Sequence, residues 1–254
     1  MSERENEKYP VKKFNTLLLI VAVIFATAIQ MPLLFWPAGT LFWVEGWVYL
    51  AIFFCSFCFI FISLNNKNPE ILINRTNLKK QAFRKIEDEM SEDKKEVKKA
   101  SATDKIIFPI FSILFLSVFI VSALDKRFHW SIPLIWTEIV GFALLPLSFY
   151  IIYRVMLDNA YASMVLDIRE DSGHKVIDTG FYAIVRHPMY SGFTLTIFSI
   201  VLAFGSWYAF IPAILTVILL AIRVKFEEKM LIKGLAGYKE YKEKVKFKLI
   251  PKIY

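Results

Sequence analysis

Cysteine is almost missing from this chain of 254 residues: Cys55 and Cys58 fall within one apolar run. Two cysteines cannot build a disulfide framework, and no further cysteine or histidine stands near them to complete a zinc site. They read as small packing residues, and no metal site is expected. A cleavable leader is not expected either, because the first apolar run is too long and no small-residue cleavage site follows it. The closing Pro-Lys-Ile-Tyr is not a C-a-a-X prenylation signal, so the chain is not expected to be lipidated through it. Charges inside the apolar runs are few and no clear inverted repeat is present, which argues against a transporter.

What the chain does have is apolar and aromatic bulk. It is 56% hydrophobic and 16% aromatic, with 24 phenylalanines, more than a soluble domain usually carries. The net charge of +8 is gathered in loops and tails rather than on one face. A basic excess can mark a nucleic-acid binder. Here it flanks long apolar runs, which points to a lipid bilayer as partner and not to nucleic acid.

Six apolar runs alternate with polar stretches. Residues 1–13 are polar and basic. Residues 14–36 are long enough to cross a hydrocarbon core, with Pro32 and Pro37 at the far end. Residues 41–64 return as a hairpin, and Trp36, Trp43 and Trp47 gather at the turn as an interfacial aromatic belt. Residues 65–105 alternate Lys and Glu, as a solvated helix or connector does. Spans follow at 106–124 and 132–156, with Glu45 and Glu138 read as interfacial carboxylates. A polar segment with persistent apolar residues, 157–187, is expected to fold on the membrane surface. The spans 188–204 and 207–223 form a hairpin around Gly205-Ser206. A charged helix, 224–245, then carries an apolar stripe of Leu231, Leu235 and Tyr238. The chain therefore divides into an N-terminal tail and hairpin (1–64), a charged connector (65–105) and a core (106–254).

The loops near 37–40, 125–131 and 205–206 share one side in this topology. They hold only Lys126 and Arg127 of the 31 lysines and arginines. The positive-inside rule then puts both termini, the connector and the 157–187 segment in the cytoplasm.

The densest polar cluster beside an apolar run is Gly180-Phe-Tyr-Ala-Ile-Val-Arg-His-Pro-Met-Tyr-Ser-Gly192. The residue before a proline is pushed out of the α region, while proline suits the first turn of a helix. His187 thus ends a loop and Pro188 starts a helix. Free N–H groups at such a start favour anionic or electron-rich ligand groups. Arg186 adds a planar donor fork, His187 a switchable donor or acceptor, and Tyr182 and Tyr190 flat faces with polar tips. The plain alternative is an interfacial anchor, since Arg, His and Tyr are common at membrane boundaries.

The spacing G-x-Y-x-x-x-R-H-P-x-Y-x-G before a membrane helix resembles the isoprenylcysteine carboxyl methyltransferase family, which overlaps with the phospholipid methyltransferases. Further parts stand in the family's order. These are His174-Lys-Val-Ile-Asp-Thr-Gly-Phe-Tyr182, Arg223-Val-Lys-Phe-Glu-Glu228, Gly237-Tyr-Lys-Glu-Tyr241 and a tail at 245–251. The likeness runs from near Asp158 to the C-terminus and leaves the N-terminal half uncovered.

The resemblance implies an all-α integral-membrane enzyme of about six transmembrane helices, with a cytoplasmic C-terminal segment that binds S-adenosylmethionine. It implies that the backbone around His174 and Val176 holds the adenosyl part and that Tyr182 lines the pocket. His187, Pro188, Met189 and Tyr190 are to touch the cofactor. Arg186 is either a cofactor neighbour or a structural partner of a local carboxylate. Glu227 or Glu228 is to meet the methionine amino group or to fix Arg223, and Arg223 is to face the acceptor. Carboxylates and aromatic faces suit the cofactor's cations, and Arg or His its carboxylate. A carboxylate acceptor needs no base, whereas an amine must lose a proton. For Glu227 and Glu228 the alternative is a solvated helix face, and for Arg223 it is snorkelling. The implied reaction is carboxyl O-methylation of a lipophilic, isoprenylcysteine-like acceptor. The alternatives are phosphatidylethanolamine N-methylation, an NADPH-dependent sterol-type reductase, and a non-catalytic membrane scaffold. Paired carboxylates would repel a pyrophosphate, which disfavours the reductase. Oligomeric state is not legible in the residues.

Overall fold

The computed structural model describes residues 13–73, 95–159 and 176–254, and the description is all-helical. Helix α1 (Thr16–Ala38) is started by Asn15, whose side chain accepts from the Leu17 N–H, one of the donors that a helix start leaves free. It runs through Pro32 and Pro37 and stops at Gly39, whose φ of 67° brings its N–H onto the Phe35 and Trp36 carbonyls. The prolines therefore lie inside the helix, and the glycine ends it by taking the left-handed conformation that side chains resist. Helix α2 spans Val44–Lys67 and α3 Lys95–Phe128. Helix α4 spans Ile135–Asp158, α5 Pro188–Ala203, α6 Phe210–Gly234 and α7 Tyr238–Lys244.

Four of these helices are long and apolar enough to cross a membrane: α1, α2, the Ile106–Phe128 part of α3, and α4. Their outer faces are not covered by protein; only 11% of the α1 window is buried, and Leu17, Val21, Ile24 and Phe25 are exposed. An apolar helix left bare in this way is stable only in lipid. Helix α5 is a shorter apolar helix of 16 residues.

The expected boundaries shift in two places. Helix α3 begins at Lys95, so the end of the charged connector is continuous with the third span. The sixth apolar run and the charged helix after it are not separate elements. Helix α6 passes through Arg223 without a break and ends at Gly234, and α7 starts anew after Gly237, whose φ is 82°. No proline or glycine interrupts 213–233, so nothing stops the helix where the hydropathy changes. Most of the expected surface segment, 160–175, and of the connector, 74–94, lies outside the described residues.

Helix α4 packs most extensively on α5, and α3 on α6, while α1 lies against both α2 and α3. The α4–α5 crossing depends on Gly141: a Cβ there would run into the backbone of Ala203. The shared core includes Leu34, Leu64, Val118, Leu145, Ile197, Val201 and Val224. The loops after α1, α3 and α5 meet at one end, as the topology read from the sequence requires. Asp125 accepts from the Ser131 N–H (2.7 Å), the Ser131 hydroxyl (2.6 Å) and the Ser206 hydroxyl (2.5 Å). Lys126 lies 3.4 Å from Glu45, and the Arg127 side chain packs on Gly39.

Candidate functional site

At the other end, α5 starts and α6 leaves the core. Pro188 is the first residue of α5, and His187 caps it in a non-helical conformation with φ −124°. The segment before it is pinned to the C-terminal tail, because the Arg186 N–H donates to the Phe247 carbonyl and the His187 N–H to the Lys248 carbonyl, each at 2.9 Å. Ser191 donates to the Leu249 carbonyl at 2.5 Å. The tail thus forms one wall of the site.

Arg186 is 5% exposed. Its Nε donates to Glu228 Oε1 at 2.6 Å, and its Nη1 donates to the carbonyls of Val245 (2.6 Å) and Lys246 (2.8 Å). Of the two roles held open for Arg186, this geometry supports pairing with a carboxylate and with the tail. Glu228 is buried, with Lys248 Nζ 3.7 Å from its Oε2. Burial pushes the Glu228 carboxyl up, but His187 and Arg186 outweigh it and hold the group down at about 2. A carboxylate held so low stays ionised and is a poor proton acceptor.

His187 is 5% exposed and stands between the two acids, with Nδ1 3.8 Å from Glu227 Oε1 and Nε2 3.4 Å from Glu228 Oε1. The second approach is electrostatic and not a formed hydrogen bond, and Nε2 is a buried nitrogen without a hydrogen-bond partner. Tyr190 ties α5 to α6: its hydroxyl donates to Glu227 Oε2 at 2.6 Å, and the Arg223 guanidinium lies over its ring at 5.6 Å. Arg223 and Glu228 are both buried where α6 passes the start of α5. They lie on the inner side of α6 and not on a solvated face.

A second cluster adjoins the first. A short 3₁₀ turn (Gly180–Ala183) buries Tyr182 against Val155, Tyr238, Tyr241 and Val245, with Val176 and Met189 packed at its edge. Gly180 takes φ 59° and lies so close to Asp158 that a side chain there would collide with the carboxylate. Asn159 donates to the Tyr182 hydroxyl at 3.1 Å, and Tyr241 donates to the Tyr182 carbonyl at 2.7 Å.

The structure therefore brings Tyr182, Arg186, His187, Pro188, Met189, Tyr190, Arg223, Glu227 and Glu228 to one end of the bundle, with Val176 beside α7. His174 lies outside the described residues. Sequence reasoning assigned nothing to Lys248, Ser191 or Asn159. Lys248 sits in the tail segment already noticed at 245–251, but its return to Glu228 shows only in the folded contacts, the backbone pairing to His187 and the approach of Nζ to the carboxylate.

Residues 136–236 match the family profile described as phospholipid methyltransferase. That match starts in α4, earlier than the resemblance read from the residues, and stops before α7 and the tail. Sequence comparison with curated proteins returns no match. A similar solved structure is that of a eukaryotic intramembrane Ras methyltransferase, isoprenylcysteine carboxyl methyltransferase. It is 16% identical, covers 94% of this chain and 88% of its own, and superposes with a TM-score of 0.46, a likeness too loose to bear on mechanism.

Proposed function

We propose, for a chain whose residues 136–236 match the phospholipid methyltransferase family profile, that this protein is a membrane-embedded methyltransferase. It uses S-adenosylmethionine and methylates the carboxylate of a lipophilic, isoprenylcysteine-like acceptor. The observation that carries the reading is the buried cluster at the start of α5, where two carboxylates, a histidine and two arginines stand together beside aromatic rings. Such a set fits a zwitterionic cofactor with a sulfonium. Glu227 and the rings of Tyr182 and Tyr190 suit its cations. His187, with an unpartnered buried nitrogen, and Lys248 suit its carboxylate.

When bound, S-adenosylmethionine supplies an electrophilic methyl group. A carboxylate acceptor needs no deprotonation, so this chain's residues have only to align the acceptor and hold its charge. Arg223 takes that role, at the point where α6 leaves its apolar run. The acid nearest the Arg186 pair, Glu228, is held at about 2 and does not serve as a base. N-methylation of phosphatidylethanolamine is the second reading, favoured by the description of the matched family, and there Glu227 is the base on hand. Helices α5 and α6 complete six spans, and the cluster faces the cytoplasm with the basic loops.

The test is binding and turnover on the same detergent preparations, with a prenylcysteine analogue and phosphatidylethanolamine offered separately. His187→Ala is expected to weaken S-adenosylmethionine binding by roughly 1.5–3 kcal/mol, the worth of a hydrogen bond to a charged group. Arg223→Ala is expected to keep cofactor affinity within a few-fold while turnover falls by about 10²-fold, as for a lost charge-stabilising donor. Equal loss of affinity and turnover in Arg223→Ala sinks the acceptor role. Turnover of phosphatidylethanolamine alone moves the protein to the second reading.

A further inference from the structure

The two tyrosines of α7 sit one turn apart and are treated differently. Tyr241 is 4% exposed, and its hydroxyl is used, donating to the Tyr182 carbonyl at 2.7 Å. Tyr238 is equally buried at 4%, with its ring centroid 5.7 Å from that of Tyr241, yet its hydroxyl has no hydrogen-bond partner. Leaving a buried hydroxyl unmade is expensive, and phenylalanine would fill the same space without the penalty. The groups that act on this phenol are those of the candidate site. Burial pushes it above its ordinary range, Glu228 and Glu227 add to the rise, and Arg186 opposes it, so the hydroxyl keeps its proton and remains a donor. In the candidate site, His187 Nε2 is a second buried polar atom that makes no hydrogen bond, although it stands 3.4 Å from Glu228 Oε1. Val245 links the two: it shares the Tyr238 cluster, and its carbonyl accepts from Arg186, the partner of Glu228, so that unmade hydrogen bonds on both sides of this link mark a place prepared for a polar ligand group.

We propose that the Tyr238 hydroxyl is a binding group for the charged amino-acid end of the cofactor, completing with His187 a polar cradle around the Arg186–Glu228 pair. This rests on the methyltransferase reading and deepens it: α7, which lies outside the matched family segment, contributes a ligand contact and not merely an apolar stripe. The amino-acid end is the part assigned because Val245, which belongs to the Tyr238 cluster, gives its carbonyl to Arg186, the partner of Glu228.

The experiment compares the parent with Tyr238→Phe and Tyr241→Phe in detergent, measuring the unfolding temperature without ligand and the affinity for S-adenosylhomocysteine. Tyr238→Phe is expected to unfold at the same or a higher temperature, because an unsatisfied hydroxyl is removed, while affinity falls about 3- to 10-fold. Tyr241→Phe is expected to do the reverse, lowering the unfolding temperature through loss of its bond to Tyr182. Binding of 5′-methylthioadenosine, which lacks the amino-acid end, is expected to be the same in the parent and in Tyr238→Phe. Unchanged affinity for S-adenosylhomocysteine in Tyr238→Phe overturns the assignment alone, as does a fall in its ligand-free unfolding temperature. Equal losses on both ligands overturn it too, by moving the contact to the adenosine end. A parent that binds neither ligand overturns the methyltransferase reading and this inference with it.

Discussion

At the end of the bundle where the loops after α1, α3 and α5 meet, the buried Asp125 accepts three hydrogen bonds from Ser131 and Ser206. At the end where α5 begins, His187 and Tyr238 are as deeply buried and leave polar atoms without partners. The first end leaves an orphan too, the indole N–H of Trp43. Both ends tie loops together with a buried charge. Among the described residues, only the second has an unmade hydrogen bond within reach of its buried ion pair, at His187 Nε2, 3.4 Å from Glu228. A fully satisfied network rigidifies, whereas an incompletely satisfied one has something to offer a ligand.

The largest expected effect sharpens this contrast at the site. Arg186→Ala removes one side of a buried ion pair and frees two tail carbonyls, and is expected to destabilise by about 3–5 kcal/mol, read as thermal unfolding in detergent. The Arg186→Ala, Glu228→Ala double variant is expected to recover part of that loss, because no lone charge is left. A double variant as damaged as the sum of the singles would show that the pair is not the link between α6 and the tail.

Asp125→Ala comes next. It strips three donors of their acceptor and is expected to cost on the order of 3 kcal/mol, from the usual worth of hydrogen bonds to a charged group. Cofactor affinity is expected to stay unchanged. If affinity falls in step with stability, the two ends are one cooperative unit and the comparison breaks.

Acid provides a third probe. The Glu228 carboxyl is depressed from 4.5 to about 2 in the folded chain. A depressed acid contributes stability above its unfolded value and loses it as pH falls toward the folded one. Its share is therefore full above about 4.5 and lost progressively down to about 2. Glu228→Gln is expected to flatten the acid limb of the stability profile in that window and to leave the slope between pH 6 and 8 alone. An unchanged acid limb would mean that Glu228 is not the group holding the tail.

The smallest effect is expected from Lys248→Ala. Its Nζ is 3.7 Å from Glu228 and its side chain is 23% exposed. A rim pair of that kind contributes about 0.2–1 kcal/mol and is screened by salt. A salt-independent loss larger than that would place Lys248 inside the site and not at its edge.

Much of this protein is legible along the chain because the bilayer is a simple solvent. Apolar run length alone marks α1 to α4, and the alternation of apolar runs along the chain puts the loops after α1, α3 and α5 at one end. Local rules also locate the start of α5, since a proline after His187 has few other places to stand. They err where hydropathy and backbone disagree. The run through Arg223 turns polar without a helix breaker, so α6 continues where a boundary was drawn. What no local rule reaches is which carboxylate meets which cation. Glu227 and Glu228 are neighbours in sequence. Yet Glu227 receives Tyr190 while Glu228 receives Arg186, because successive residues of a helix point about 100° apart and α6 crosses the start of α5 at one angle. The role of the tail is likewise a matter of tertiary structure. Its carbonyls hold Arg186, and its return to α5 depends on backbone pairing between residues some sixty positions apart, a contact for which side-chain pattern carries no signal.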